Sequence, residues 1–168
     1  MEIVINDTNI LIDLYNSELL EHCQLLGFDF RTLDLVIAEI EDEAELVAIK
    51  KTIDNGILKV DYLDGLQMMK VVQNKYDNQD KCNLSIEDFA VMQYAKDNNC
   101  RLLTGDKKLR KTAEKNNVKV SGILYIIDNL IGKIDNQKLI DSLELLLQSN
   151  DRLPKKLILE RIDTLKLL

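Results

Sequence analysis

The sequence has little of what several functional classes require. It contains no tryptophan, one proline, one histidine and three cysteines among 168 residues. The lone histidine, His22, excludes a His-rich zinc site and argues against a Ser-His-Asp triad. Cys23, Cys82 and Cys100 are scattered and form no C-x-x-C pair, so we expect reduced thiols in a cytoplasmic protein.

Long apolar runs are also missing. No run approaches the roughly 18 to 20 residues that a membrane-spanning helix needs, and the first residues lack the basic region of a secretory signal. We therefore expect a cytoplasmic protein without membrane contact. Asp and Glu (29) outnumber Lys and Arg (22), which gives a net charge of -7. This balance argues against coating nucleic acid by bulk charge, but it allows a local basic patch.

What the sequence does contain is an alternation of strand-like and helical segments. Hydrophobic residues make up 46% of the chain, enough for a packed core. The patterns predict strands at 3–5, 33–37, 57–60, 101–104 and 118–120, and helices at 17–26, 38–54, 66–76, 85–95 and 106–115. Strands separated by helices imply right-handed crossovers and a mainly parallel sheet, hence an α/β sandwich.

The pattern becomes wholly helical from Gly122 onward. Helices are predicted at 124–131 and 137–147, with a last one that begins near Pro154. We therefore divide the chain into a domain over residues 1–130 and a helical extension over 131–168. The extension packs on the sheet domain or contacts a partner.

Four acidic residues fall near the carboxyl ends of the predicted strands. Asp7 directly follows the first strand, Glu39 follows the second at the start of its helix, and Asp106 lies two residues after Thr104 in the fourth. Asp88 lies in the first turn of the helix that leads into the fourth strand. In parallel α/β sheets the ligand crevice lies at this edge, so these carboxylates are expected to approach one another.

Each acidic residue also has an ordinary explanation. Asp7 and Asp106 could cap helices, Asp88 could complete a capping box with Ser85, and Glu39 could favour the positive end of a helix dipole. Taken together, however, four neighbouring carboxylates would repel one another and raise their own pKa values. A divalent cation removes that repulsion, and hard oxygen ligands suit Mg²⁺ or Mn²⁺.

These segments resemble the motifs of the PIN-domain family, metal-dependent ribonucleases that include the VapC-type toxins of toxin–antitoxin modules. The first motif is a strand that ends in Asp7-Thr8-Asn9, and residues 36–40 around Glu39 resemble the second. Residues 84–95 resemble the third motif and residues 102–109, with Thr104-Gly105-Asp106, resemble the fourth. The four occur in order over roughly the first 130 residues.

The resemblance implies a three-layer α/β/α nuclease domain with a mainly parallel five-stranded sheet of order 3-2-1-4-5. It implies that one or two Mg²⁺ or Mn²⁺ ions are bound for catalysis by four carboxylates: Asp7, Glu39, Asp88 and Asp106. Thr8, Asn9 and Thr104 would support those carboxylates. Glu41 and Glu87 could replace a ligand if the register differs. The implied reaction is hydrolysis of single-stranded RNA to a 5′-phosphate and a 3′-hydroxyl.

A basic segment flanks the acidic residues. Between Thr104 and Lys119 six basic side chains face two acidic ones, a local net charge of +4. Such a ridge could seat a phosphate backbone, or it could be a solvated helix face. The candidate RNA-binding side chains are Lys107, Lys108, Arg110 and Lys111.

Partners and competing functions remain open. The resemblance implies an antitoxin and a homodimer as candidate partners, with residues 61–83 as a contact region or an ordinary core-packing helix. The long helical tail weakens the toxin assignment more than the nuclease assignment. A non-catalytic PIN-like module that binds RNA or protein is the alternative function. Response-regulator receivers and haloacid-dehalogenase-like phosphatases fit poorly, since the latter need Asp-x-Asp where this chain has Asp7-Thr8-Asn9.

Overall fold

The computed structural model describes all residues from 1 to 168, and a five-stranded sheet lies at its centre. The strands are β1 (Ile3–Asn6), β2 (Asp29–Leu33), β3 (Leu58–Asp61), β4 (Arg101–Leu103) and β5 (Val120–Ser121). Their order is β3-β2-β1-β4-β5, and every neighbouring pair is parallel. The predicted α/β class and strand order are confirmed. This order places β1 in the middle, so the residue that follows β1 lies at the centre of the carboxyl edge.

Helices cover both faces of the sheet. They are α1 (Thr8–Asn16), a 3₁₀ helix (Glu21–Leu26), α2 (Asp34–Ala38), α3 (Glu43–Asp54), α4 (Gly65–Asn78), α5 (Ile86–Asp97), α6 (Lys107–Lys115), α7 (Ile123–Leu130), α8 (Asn136–Ser149) and α9 (Lys155–Leu167). On one face α5 packs on β1, β2 and β4, with α4 and α6 beside it. On the other face α1 packs against α3, α7 and α8. The result is the predicted three-layer arrangement.

The C-terminal helices share the hydrophobic core of the sheet. One cluster of 41 buried residues includes Leu139 and Leu143 of α8 and Ile158 of α9 together with Val4 of β1. The division of the chain at residue 130 stays a prediction. None of the helices combines the length and the apolar character that crossing a membrane requires.

The first helix begins earlier than the sequence predicted. The carboxylate of Asp7 accepts the backbone N–H of Thr8, so α1 starts directly after β1. Ser17 ends α1 instead of beginning a helix, because its hydroxyl donates to the carbonyl of Asp13 at 2.7 Å. The helix predicted over 17–26 is reduced to the 3₁₀ helix.

The second strand was also misplaced. The apolar run at 33–37, predicted as a strand, is mostly the short helix α2, while β2 lies in the polar-looking segment before it. The guanidinium of Arg31 donates to Asp29 and Asp61, and these ion pairs let a charged segment lie inside the sheet. Glu39 therefore follows a short helix rather than a strand, and the helix predicted to begin at residue 38 is α3, which begins at Glu43.

Candidate active site at the carboxyl edge of the sheet

Asp7 lies at the centre of this edge, directly after β1, and its side chain is buried. Its Oδ1 accepts the backbone N–H of Thr8 at 2.8 Å. Its Oδ2 accepts the amide of Asn9 at 3.1 Å and the hydroxyl of Thr104 at 2.8 Å. Burial and, to a lesser extent, the charge of Asp88 raise the pKa of Asp7, these hydrogen bonds lower it, and the net result is a pKa of about 6.

Thr104 connects Asp7 to Asp106. Its hydroxyl accepts the backbone N–H of Asp106 at 3.0 Å while it donates to Asp7. Oδ1 of Asp106 caps α6 by accepting the backbone N–H groups of Lys108 and Leu109. Its Oδ2 accepts no hydrogen bond, so Asp106 both begins a helix and keeps one free oxygen at the edge.

Glu39 lies directly after α2 and contacts Thr8. The Thr8 hydroxyl donates to Oε2 of Glu39 at 2.5 Å, which leaves Oε1 free. Partial burial raises the pKa of Glu39, the hydrogen bond from Thr8 lowers it, and the charges of Glu87 and Asp88 raise it. Glu39 is thus within the electrostatic reach of the same acidic group.

Asp88 completes the set from the first turn of α5. Its Oδ2 accepts the backbone N–H of Ser85 at 2.9 Å, which is the capping box seen in the sequence, and its Oδ1 is free. Burial raises the pKa of Asp88, hydrogen bonds from Ser85 lower it, and the charges of Asp106 and Glu87 raise it. Glu87, considered as a replacement ligand, therefore acts on two members of the set, whereas Glu41 is simply exposed.

No cation neutralises these four carboxylates from within the chain. None of the four forms a salt bridge. They influence one another's pKa values, yet no three acidic, histidine or cysteine side chains lie close enough to hold a metal ion. The structure therefore gathers the four at one edge without drawing them into a coordination shell.

The predicted basic ridge forms α6, and its members differ in availability. Lys107, Lys108 and Lys111 are exposed on the helix that Asp106 caps. Arg110 is half-buried, and its Nη2 donates to the carbonyl of Thr104 at 3.3 Å. Arg110 thus supports the backbone beside the site, while the three lysines face solvent.

Sequence reasoning missed Asp13, which lies on α1 close to this edge. Its side chain is 2% exposed, and its Oδ1 accepts the amide of Asn150 at 2.9 Å, from the loop between α8 and α9. The two residues are 137 positions apart, so no local pattern could have paired them. A polar residue among the apolar positions of α1 was the only available signal.

The family model described as a PIN domain matches residues 3–166. The chain belongs to the PIN-domain family. PIN domains are commonly nucleases, so membership supports a nuclease-like role at a coarse level. No curated protein matches the chain.

One of the similar solved structures also supports the fold. The structure of VapBC2 from Rickettsia felis, bound to a DNA fragment from its promoter, superposes with a TM-score of 0.54 at 14% identity, over 71% of this chain and 98% of that one. A domain of a functionally unknown protein from Methanocaldococcus jannaschii gives 0.49 at 20% identity, over 73% and 91%. FitAcB from Neisseria gonorrhoeae gives 0.45 at 13% identity, over 70% and 95%.

Proposed function

We propose that this PIN domain is a metal-dependent ribonuclease that hydrolyses single-stranded RNA, with Asp7, Glu39, Asp88 and Asp106 as its catalytic centre. The observation that carries the proposal is the state of Asp7. Three donors hold this buried carboxylate at the end of the central strand, no cation pairs with it, and its pKa is raised to about 6. Such an arrangement costs stability and therefore favours a functional role.

The chemistry of the donor set fits Mg²⁺ or Mn²⁺. Glu39 Oε1, Asp88 Oδ1 and Asp106 Oδ2 accept no hydrogen bond from the chain, and all are hard oxygen donors. Binding of one or two ions requires these side chains to approach one another more closely than they do here. A bound ion would supply an activated water and polarise the scissile phosphodiester.

The surrounding residues would position these groups. Thr104 and Asn9 fix the two oxygens of Asp7, and the Thr8 hydroxyl orients Glu39. The capping contact between Ser85 and Oδ2 of Asp88 would hold the free Oδ1 of Asp88 toward the edge. The expected products are a 5′-phosphate and a 3′-hydroxyl.

The exposed lysines of α6 support RNA as the substrate class. Lys107, Lys108 and Lys111 extend from the residue after Asp106, so a phosphate backbone that enters the edge could follow the helix. Local positive charge beside an acidic centre allows a protein of net charge -7 to bind a polyanion.

A non-catalytic PIN-like module that binds RNA or protein is the alternative. The absence of a preassembled group of three metal ligands favours it. The uncompensated charge of the four carboxylates argues against it, because a module without catalysis gains nothing from mutually repelling side chains.

A toxin role with an antitoxin or a second copy as partner extends the same proposal. Helix α4 presents an apolar stripe, in which Leu66, Met69, Val72 and Tyr76 are each at least half exposed. Exposed apolar stripes of this kind are typical of protein–protein contacts. Residues 61–83, which contain the stripe, are the region that the sequence left open as either a contact region or an ordinary core-packing helix.

The proposed function predicts metal-dependent cleavage of labelled single-stranded RNA. We expect wild-type protein to cleave with Mn²⁺ or Mg²⁺ and to stop when the metal is chelated. Asp7→Asn and Asp106→Asn should each lower the cleavage rate at least about a hundredfold, since each removes a proposed ligand. Gel analysis of the products with a 5′-phosphate-dependent exonuclease checks the chemistry.

Asp128→Asn is the matched control, because it removes the same charge from the exposed surface of α7. It should cleave like the wild type. Equal cleavage by wild type, Asp7→Asn and Asp106→Asn would identify a contaminating nuclease. RNA binding without cleavage by metal-loaded wild type would establish the non-catalytic alternative.

A further inference from the structure

A polar cavity of about 250 Å³ opens beside the candidate site. Helix α1, the turn at Gly105 and the loop between α8 and α9 form its walls. Polar or small residues of these walls include Asn9, Asp13, Gly105, Asn150 and Arg152. No aromatic side chain lines the cavity, and only Ile12 and Leu153 are apolar. These walls suit a polar ligand rather than a stacked base.

The cavity adjoins the acidic centre through two residues. Asn9 lines it and donates to Oδ2 of Asp7 at 3.1 Å. Gly105 lies between Thr104 and Asp106, both of which belong to the site. A strand of RNA with its scissile phosphate at the acidic centre would therefore place a neighbouring nucleotide at this cavity.

Asp13 supplies an unpaired acceptor in the cavity wall. Its Oδ1 accepts from Asn150, but its Oδ2 is buried and has no hydrogen-bond partner. A Cβ on Gly105 would lie 4.0 Å from this Oδ2, so the oxygen faces the Gly105 side of the cavity. A buried carboxylate oxygen without a donor is costly, and its state is explained if a ligand supplies the donor.

Arg152 adds a positive charge to the same cavity. Burial raises the pKa of Asp13, while the amide of Asn150 and the charge of Arg152 lower it, which shows that the guanidinium lies within electrostatic reach of the carboxylate. Arg152 is exposed, and its side chain forms no salt bridge. It is therefore available to a phosphate.

We propose that this cavity is a ribose–phosphate subsite, in which Asp13 accepts a hydrogen bond from a ribose 2′-hydroxyl and Arg152 binds the adjoining phosphate. The proposal rests on the ribonuclease function above and makes Asp13 the residue that selects RNA over DNA. A hydroxyl is a small donor, and the 2′-hydroxyl is the group that distinguishes the two nucleic acids. The C-terminal helical pair, through its connecting loop, thereby becomes part of the substrate site.

The test compares single strands that differ only at the 2′ position. Fluorescence anisotropy is measured for one mixed sequence made as RNA, as 2′-fluoro RNA and as DNA, with Ca²⁺ in place of Mg²⁺ and a gel to show that the strands stay intact. The 2′-fluoro strand keeps the sugar pucker of RNA but lacks the donor. We expect wild type to bind RNA roughly tenfold more tightly than the 2′-fluoro strand, since the acceptor is charged.

Two variants assign that preference to Asp13. Asp13→Asn keeps a carbonyl oxygen for Asn150, and the hydroxyl of Ser17 contacts the backbone of Asp13, so both contacts remain available in the variant. It should lose most of the preference while its affinity for the 2′-fluoro strand stays unchanged. Gly105→Ala adds a methyl group at ordinary contact distances from Asn9 and Asp13 and should also reduce the preference.

Asp151→Asn is the matched control, because it removes a carboxylate from the rim of the same cavity. The side chain of Asp151 is 93% exposed. It should keep the full preference. Arg152→Gln should weaken binding of all three strands about equally. Equal binding of RNA and 2′-fluoro RNA by wild type, or an equal loss of both in Asp13→Asn, would overturn the subsite while leaving the nuclease intact. Absence of binding to every strand would overturn both proposals.

Discussion

Two groups of carboxylates lie on the same sheet and differ in whether a cation of the chain pairs with them. In β2 and β3 the guanidinium of Arg31 lies between Asp29 and Asp61, at 2.6 and 2.9 Å, and the ammonium of Lys59 lies 2.9 Å from Asp29. Hydrogen bonds from Arg31 hold the pKa of Asp29 below its ordinary value. At the carboxyl edge Asp7 has no cation, and burial raises its pKa.

The difference shows where folding alone explains a charge and where it does not. A paired carboxylate inside a sheet is compensated by its partner, so the cluster around Arg31 needs no ligand. At the edge, the charge of Asp88 raises the pKa values of Asp7 and Glu39, and the charge of Asp106 raises the pKa of Asp88. A cation or a substrate would compensate these charges, so the contrast supports the proposal that this edge is the functional part of the sheet.

The largest expected effect is a difference in pH dependence between the two groups, measured with a chelator present. The pKa of Asp7 is about 6 in the folded chain against an ordinary value of 3.8. Between these values the native state holds a proton that the unfolded state has lost, so stability falls as pH rises through this window. Relative to wild type, Asp7→Asn should gain about 2.4 kcal/mol of unfolding free energy from pH 4 to pH 7.

Asp29→Asn should show the opposite sign. The pKa of Asp29 is lowered in the folded chain, so its contribution is present above its unfolded pKa and is lost as pH falls. The unfolding free energy of Asp29→Asn, relative to that of wild type, should therefore decrease as pH rises. Urea denaturation across the pH range gives both differences. If the unfolding free energies of wild type and Asp7→Asn changed with pH in parallel, the contrast between the edge carboxylates and the Arg31 cluster would be contradicted.

A smaller effect is expected when the cation of the paired group is removed. Arg31→Met keeps the volume but leaves Asp29 and Asp61 uncompensated, and we expect a loss of about 2 kcal/mol in unfolding free energy. The loss is moderate because the Arg31 side chain is 26% exposed. Lys51→Met, which breaks a surface pair with Glu21 whose two side chains are 65% and 56% exposed, is the control and should cost less than about 1 kcal/mol. Equal losses would show that the sheet pairs add nothing beyond surface pairs.

The sequence predicted the fold wherever one local signal dominated. The capping box of Ser85 and Asp88 located α5, and the buried run before Asp7 located β1. The prediction failed where a distant partner determined the local structure. β2 was missed because Arg31 is compensated by Asp61, 30 residues further along the chain.

The candidate site divides in the same way. Asp7, Glu39, Asp88 and Asp106 could be singled out because each lies near the end of a predicted element, and topology brings such ends together. Asp13 could not, because its role depends on Asn150 from a loop at the far end of the chain. Glu39 was singled out as the residue that follows a predicted strand over 33–37. That segment is mostly α2, but Glu39 still lies directly after its end.

The smallest expected effect concerns one hydrogen bond within the acidic group. Thr8→Val removes the hydroxyl that donates to Glu39 while the backbone N–H of the residue still caps to Asp7. Burial already raises the pKa of Glu39 and the Thr8 hydroxyl opposes it, so the variant should raise this pKa further. The stability change should stay below about 1 kcal/mol, because both groups are partly solvated.

A carbon-detected NMR titration of the Glu39 carboxyl group measures this pKa directly. Thr112→Val is the control, since its hydroxyl donates to the carbonyl of Lys108 and touches no carboxylate. If Thr8→Val leaves the Glu39 titration unchanged, the hydroxyl does not stabilise the ionised form, and Glu39 is held at the edge by α2 alone. If the pKa rises as expected, the Thr8 hydroxyl stabilises the ionised form of Glu39, which is the form that binding a cation requires.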